Sequence, residues 1–181
     1  MSKPMEILAR ADKIYTAGQV EKVYDRLAED ISDRLKDADP VVLAVMNGGL
    51  IPAAALLVRF SFALEVAYTH PTRYRDQTQG GDLEWRVPIP SIVTGRSVLV
   101  IDDILDEGVT LQGVVERCQE LGAEDVLVAV LIRKRHDRCV WPHADFVGLE
   151  VEDRYVFGSG MDYCGYLRNA QGVYALAEED I

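Results

Sequence analysis

The chain has 181 residues, 49% of them hydrophobic and 27% charged, a size and balance that suit one globular domain with a full core. Its formal net charge of −11 argues against a nucleic-acid-binding face, which needs clustered Lys and Arg, and suits a protein that meets anionic ligands through metal ions and backbone dipoles. Cys118, Cys139 and Cys164 lack paired or metal-ligand spacing, no apolar run reaches the ~20 residues of a membrane span, and no leader pattern opens the chain, so a cytoplasmic protein with free thiols and no membrane partner is expected.

Residues 5–36 carry a helical pattern, with Ile14, Val20, Val23, Tyr24, Leu27 and Ile31 recurring near the 3.6 period. Asp39-Pro40 closes it. The short apolar run 41–46 reads as a buried strand, Asn47-Gly48-Gly49 as a turn, and 53–60 as a helix with Pro52 near its start, where a missing N–H matters little. Residues 62–69 read as a second strand. The stretch 70–90 is the longest polar, glycine-containing segment, and long loops inside compact domains often act as lids. Residues 98–101 form a third apolar run. Leu111, Val114, Val115, Cys118 and Leu121 then fall at helical spacing until Gly122, and 126–132 is a further strand. Strand–helix–strand units of this kind predict an α/β protein with a mostly parallel, twisted sheet flanked by helices. The aromatic-rich part from Phe146 onward is expected to form a small hood over the sheet's C-terminal edge.

The richest segment is Val98-Leu99-Val100-Ile101-Asp102-Asp103-Ile104-Leu105-Asp106-Glu107-Gly108-Val109-Thr110-Leu111. An apolar strand ends in two adjacent acids, which alternation sends to opposite faces. Asp106, Glu107, Gly108, Val109 and Thr110 then wrap into a helix start, where backbone N–H groups and the helix dipole favour a phosphate. One loop thus offers acids for a diol and amides for a phosphate, a combination that fits a ribose 5-phosphate. The plain alternative is an acidic strand end with Asp106 capping the helix. Lysine-bearing Walker loops, G-x-G-x-x-G fingerprints, nucleophile elbows and H-E-x-x-H pairs are absent from the sequence.

The segment resembles the phosphoribosyl pyrophosphate (PRPP) signature of type I phosphoribosyltransferases, and the likeness runs from about Val41 to Arg168 with details of the 6-oxopurine (hypoxanthine-guanine) branch. The resemblance implies the type I fold: a core of about 38–145, a hood from the N-terminal segment and about 146–181, and a mobile lid of about 70–90. It implies that Asp102 and Asp103 hold ribose hydroxyls and metal-bound water, and that Asp106, Glu107, Gly108, Val109 and Thr110 cradle the 5′-phosphate. Asp106 would face purine N7 as acid/base, Lys134 would donate to O6, Tyr155 would stack on the ring, and Val156 would meet the base edge through its backbone. Asp162 would lie near the guanine 2-amino group and a second Mg²⁺. Asn47, Gly48 and Arg168 would meet pyrophosphate, and Arg73 and Tyr74 would lie in the lid.

The metal set implied by the likeness is Asp102, Asp103 and Asp162 with Mg²⁺. Four positions depart from the commoner pattern: Asn47 where many relatives have a basic residue, Arg73 in place of Ser, Glu107 in place of Ser or Thr, and Val109 in place of a polar or basic residue. The expected activity is transfer of 5-phosphoribosyl from PRPP to hypoxanthine or guanine in purine salvage, by a homodimer or homotetramer with no nucleic-acid partner. A xanthine-preferring relative, a PRPP-binding regulator without turnover, and a phospho-accepting receiver domain are the alternatives.

Overall fold

The computed structural model describes residues 3–73 and 83–180. The chain opens with α1 (Lys3–Arg10), β1 (Asp12–Tyr15) and α2 (Ala17–Leu35), so the helical pattern expected over 5–36 is interrupted. Asp12–Tyr15, Ile14 included, leaves the helix because it pairs antiparallel with Val173–Ala175. Thr16 then restarts it with a capping box: the Gln19 N–H donates to the Thr16 hydroxyl at 3.3 Å, and the Gln19 side chain accepts from the Thr16 N–H at 2.9 Å. α2 buries Val20, Val23, Tyr24, Leu27, Ile31 and Leu35 along one stripe.

Next come β2 (Val41–Val45), α3 (Leu50–Leu57), β3 (Glu65–Arg73) and β4 (Leu83–Val87). They are followed by β5 (Ser97–Leu105), α4 (Val109–Glu120), β6 (Asp125–Arg135), β7 (Phe146–Glu152), β8 (Val156–Phe157) and β9 (Val173–Ala175). Six strands form one sheet in the order β4-β3-β2-β5-β6-β7. All neighbours are parallel except β3 and β4. Side chains alternate between two cores. Leu99, Ile101, Ala129 and Leu131 meet α2 and α3 on one face, while Val98, Val100, Val128 and Val130 meet α4 on the other.

Two sequence expectations change here. Phe146–Glu152 belongs to the main sheet and not to a hood: it pairs parallel with β6. The physical reason is that pairing with β6 lets the segment complete both cores, Phe146 and Leu149 packing into the one under α2 and Val147 into the other. Outside the main sheet, β1, β9 and β8 form a three-stranded antiparallel sheet, beside which Ile7, Phe157, Leu167 and Leu176 cluster. The polar segment 70–90 is likewise strand at both ends. Pro71 pairs with Trp85 and Thr72 with Glu84, because Trp85 has an apolar core to pack against. Residues 74–82, Tyr74 among them, lie outside the described residues.

β2 connects through α3 to β3 on one side, and β5 connects through α4 to β6 on the other. The chain therefore switches direction between the carboxyl ends of β2 and β5, where open α/β sheets bind their ligands. All three cysteines are free, and among the described residues no helix is long and apolar enough to cross a membrane.

Candidate active site

A cavity of about 350 Å³ opens at that switch point. Its floor is the turn after β2. The Met46–Asn47 peptide is cis, and Asn47 and Gly48 line the cavity. Gly48 is tightly constrained, because a Cβ there would lie 2.2 Å from Asp103 Oδ2. At Gly49 a Cβ would lie 2.4 Å from the Ile101 carbonyl oxygen. The turn thus rests directly on the end of β5.

β5 runs on to Leu105, so Asp102 and Asp103 stand inside the strand and not after it. They are 8% and 7% exposed. The Asp103 N–H donates to Asp102 Oδ1 at 2.9 Å. Burial pushes the Asp102 carboxyl well above its usual range, and the neighbouring Asp103 charge adds to that. Asp103 is also pushed up by burial, against the pull of Arg168, whose Nη1 lies 3.6 Å from its Oδ2.

The loop after β5 has Gly108 at φ +85 as the residue preceding α4, which only glycine adopts readily. A Cβ at Gly108 would also lie 2.3 Å from the Trp141 carbonyl oxygen. The segment carrying Trp141 is tied to the loop, with the Val140 N–H donating to the Glu107 carbonyl at 2.9 Å. The N-cap Gly108 has no side chain with which to cap α4, and a helix N-terminus of this kind suits an anion. Asp106 therefore does not cap the helix. Asp106 and Thr110 line the cavity, whereas Glu107, Gly108 and Val109 do not. Val109 faces a separate recess with Leu83 and Trp85.

Asp106 instead reaches across to β6. Lys134 Nζ lies 2.7 Å from its Oδ2, and His136 Nε2 lies 2.5 Å from its Oδ1. Burial would raise this carboxyl, but the donated hydrogen bonds from Lys134 and His136 outweigh it and hold Asp106 below the usual range. The sequence reading missed His136. A signal was available: Lys134 and His136 are two apart at a strand end, so one face presents both, while Arg135 between them turns to Glu150.

The opposite wall comes from the segment after β7. Tyr155, Val156, Asp162 and Arg168 line the cavity. Tyr155 is half-exposed, with its ring edge-on to Tyr163 at 6.1 Å and its hydroxyl donating to the Asp162 carbonyl at 3.2 Å. Asp162 is tied locally, with Oδ1 2.5 Å from Arg168 Nη2 and Oδ2 accepting the Gly165 N–H at 2.7 Å. Arg168 also donates to the Gly160 carbonyl at 2.7 Å, so it bridges the two acidic positions. Arg73 ends β3.

Asp102, Asp103 and Asp162 share the cavity, but among the described residues no group of three His, Cys, Asp or Glu gathers to hold a metal by itself. Two buried, charge-crowded carboxylates still suit Mg²⁺, which keeps waters and substrate oxygens among its ligands and uses only one or two protein carboxylates.

A mostly parallel sheet with acids at its switch point and a helix N-terminus beside them defines an α/β protein whose ligand cavity lies at that switch point and offers a helix start suited to an anionic group. More narrowly, the chain belongs to the phosphoribosyl transferase domain family, whose model matches residues 10–164. It is 30% identical over 152 residues to the hypoxanthine-guanine phosphoribosyltransferase of Bacillus subtilis, spanning 83% of this chain and 84% of that one. It is 27% identical over 166 residues to the hypoxanthine-guanine-xanthine phosphoribosyltransferase of Tritrichomonas foetus, spanning 91% of each. The fold matches a hypoxanthine phosphoribosyltransferase structure from Staphylococcus aureus with a TM-score of 0.89 at 21% identity, over 99% of this chain and 98% of that one.

Proposed function

We propose that this chain is a Mg²⁺-dependent 6-oxopurine phosphoribosyltransferase of purine salvage, joining N9 of hypoxanthine or guanine to C1 of the ribose of PRPP. The carrying observation is the Asp106 carboxylate, held ionised between Lys134 and His136 on the same cavity as Asp102, Asp103 and Thr110. The loop before α4 and the first turn of that helix bind the 5′-phosphate through the amides of Glu107, Gly108, Val109 and Thr110. Asp102 and Asp103 hold the ribose hydroxyls and the metal with its waters, while Asn47, Gly48 and Arg168 meet the pyrophosphate end. Tyr155, Val156, Lys134 and Asp162 form the base pocket, and Arg73 and Tyr74 belong to a lid that excludes water. As N9 bonds to C1, the bond from C1 to the pyrophosphate oxygen breaks and the N7 proton passes to Asp106. Mg²⁺, when bound, neutralises the developing charge on the departing pyrophosphate.

One observation keeps xanthine as a second reading. Asp162 is paired with Arg168 at 2.5 Å, so it is not a bare charge that would repel a 2-oxo group. Initial rates with PRPP, Mg²⁺ and each of hypoxanthine, guanine, xanthine and adenine test the assignment. Hypoxanthine and guanine are the expected substrates. Fastest turnover with xanthine would select the second reading, and no pyrophosphate release with any 6-oxopurine would overturn both. The chain is further proposed to work in the cytoplasm as a homodimer or homotetramer, supported by its free cysteines and by the exposed apolar Val58, Val66 and Tyr68.

A further inference from the structure

We infer that His136 is a positioning residue for Asp106, a role that rests on the phosphoribosyl transfer proposed above. The side chain of His136 is only 4% exposed. Its Nδ1 accepts the backbone N–H of Arg138 at 3.1 Å, so that nitrogen carries no proton. A neutral ring then has its proton on Nε2, and Nε2 is the atom 2.5 Å from Asp106 Oδ1. The backbone therefore sets the tautomer, and the tautomer makes His136 a donor to the carboxylate. The turn that supplies the Arg138 N–H is itself anchored, because the Arg138 guanidinium holds Asp153 through two contacts of 2.7 and 2.9 Å.

The other donor to Asp106 has competing work. Lys134 Nζ is 2.7 Å from Asp106 Oδ2 and 4.0 Å from Asp153, and in the proposed reaction it turns toward the purine O6. A carboxylate that lost its only strong donor at that moment would be free to rotate away from N7. His136 has no such second task. It keeps Oδ1 in place while Lys134 moves, and the remaining lone pairs of the carboxylate stay available for the N7 proton. His136 touches neither substrate in this account, so its effect belongs to turnover and not to PRPP binding.

The test pairs kinetics with histidine ¹⁵N NMR on the full chain. His136→Leu removes the donor, and His136→Gln restores an N–H near the position of Nε2. The expected result is a kcat lower by about 10- to 100-fold for H136L, with the KM for PRPP within about twofold of the parent and most of kcat recovered in H136Q. The chain has three histidines, so the His136 signals are identified by their loss in H136Q. In the parent they should show protonated Nε2 and unprotonated Nδ1, and they should shift in Asp106→Asn. Parental kcat in H136L, no recovery in H136Q, or a proton on Nδ1 would each overturn the inference. If H136L does not fold, H136Q and the NMR of the parent still decide. A parent that forms no nucleotide from any 6-oxopurine would refute the functional reading separately, because the tautomer is measured without turnover.

Discussion

Gly48→Ala tests whether the turn after β2 and the acids of β5 are built as one piece. The new Cβ would lie 2.2 Å from Asp103 Oδ2, 2.4 Å from its Cγ and 2.7 Å from its Oδ1. Ordinary contact needs roughly 3.5 Å, so more than an ångström of relief is required. Asp103 has little room to give. It is 7% exposed, and Gly160 closes in so tightly that a Cβ there would lie 2.5 Å from the Gly48 carbonyl oxygen and 3.2 Å from Asp103 Cβ. Overpacking of this kind costs about 1–3 kcal/mol. At ~2–4 °C per kcal/mol for a chain of this size, Tm should fall by roughly 2–12 °C. An ångström of displacement at Asp103 should also lower turnover by roughly 10²-fold. The control is Gly18→Ala in the first turn of α2, where nothing lies within 4 Å of the added Cβ; it should leave both quantities unchanged or raise Tm slightly. Thermal unfolding and initial rates measure both. A G48A protein melting within about 1 °C of the parent, with parental turnover, would show that the turn and β5 move independently.

Asp106→Asn should lower turnover by roughly 10²–10⁴-fold in the IMP-forming assay, and an unchanged rate would remove Asp106 from the chemistry. The Asp106 carboxyl is held below its usual range, with burial opposing and the Lys134 and His136 donors prevailing. The stabilisation it contributes is therefore present above the unfolded carboxylate pKa of ~3.9 and is lost as pH falls through the lower folded value. A pH–rate profile should accordingly show no acid limb from Asp106 between about pH 5 and 7; a limb in that window that vanishes in D106N would contradict the assignment. Asp102→Asn removes a buried charge that burial and Asp103 both disfavour, while its Oδ1 can still accept the Asp103 N–H. Its ligand-free Tm should equal or exceed that of the parent while turnover is lost, and a lower Tm with intact turnover would reverse the argument.

The central sheet was legible because its strands are apolar on both faces: Val41, Val42, Leu43, Val98, Leu99 and Val100 are all fully buried. The first helix was misread because Asp12–Tyr15 acquires its strand conformation from Val173–Ala175, more than 150 residues away, and local periodicity carries no trace of that pairing. Phe146–Glu152 was misread for a related reason. Gly148, Glu150 and Glu152 interrupt its apolar residues, and its place at the sheet edge comes from pairing with β6. At the site, the run from Asp102 to Thr110 was visible because strand, loop and helix start are contiguous. His136 was not, because its partner Asp106 is 30 residues away and its tautomer depends on the Arg138 amide.

Two kinds of carboxylate share this cavity, and the fold makes them differ. Asp102 and Asp103 stand within β5, between β2 and β6, where burial opposes their charge and Arg168 supplies only partial relief. Asp106 stands just past the strand, 38% exposed, with two side-chain donors on it. The first pair therefore gains most from an incoming cation with its bound oxygens, and Asp106 is compensated before any ligand arrives. The carboxyl end of β5 thus gives neighbouring acids of one type different environments, through depth and through the donors within reach, which is the condition under which such acids come to serve different steps. It follows that exchanging the two environments would damage function more than exchanging the residues. Stripping the donors from Asp106 would make it resemble Asp102, whereas moving a carboxylate one position along β5 would send it to the other face of the sheet.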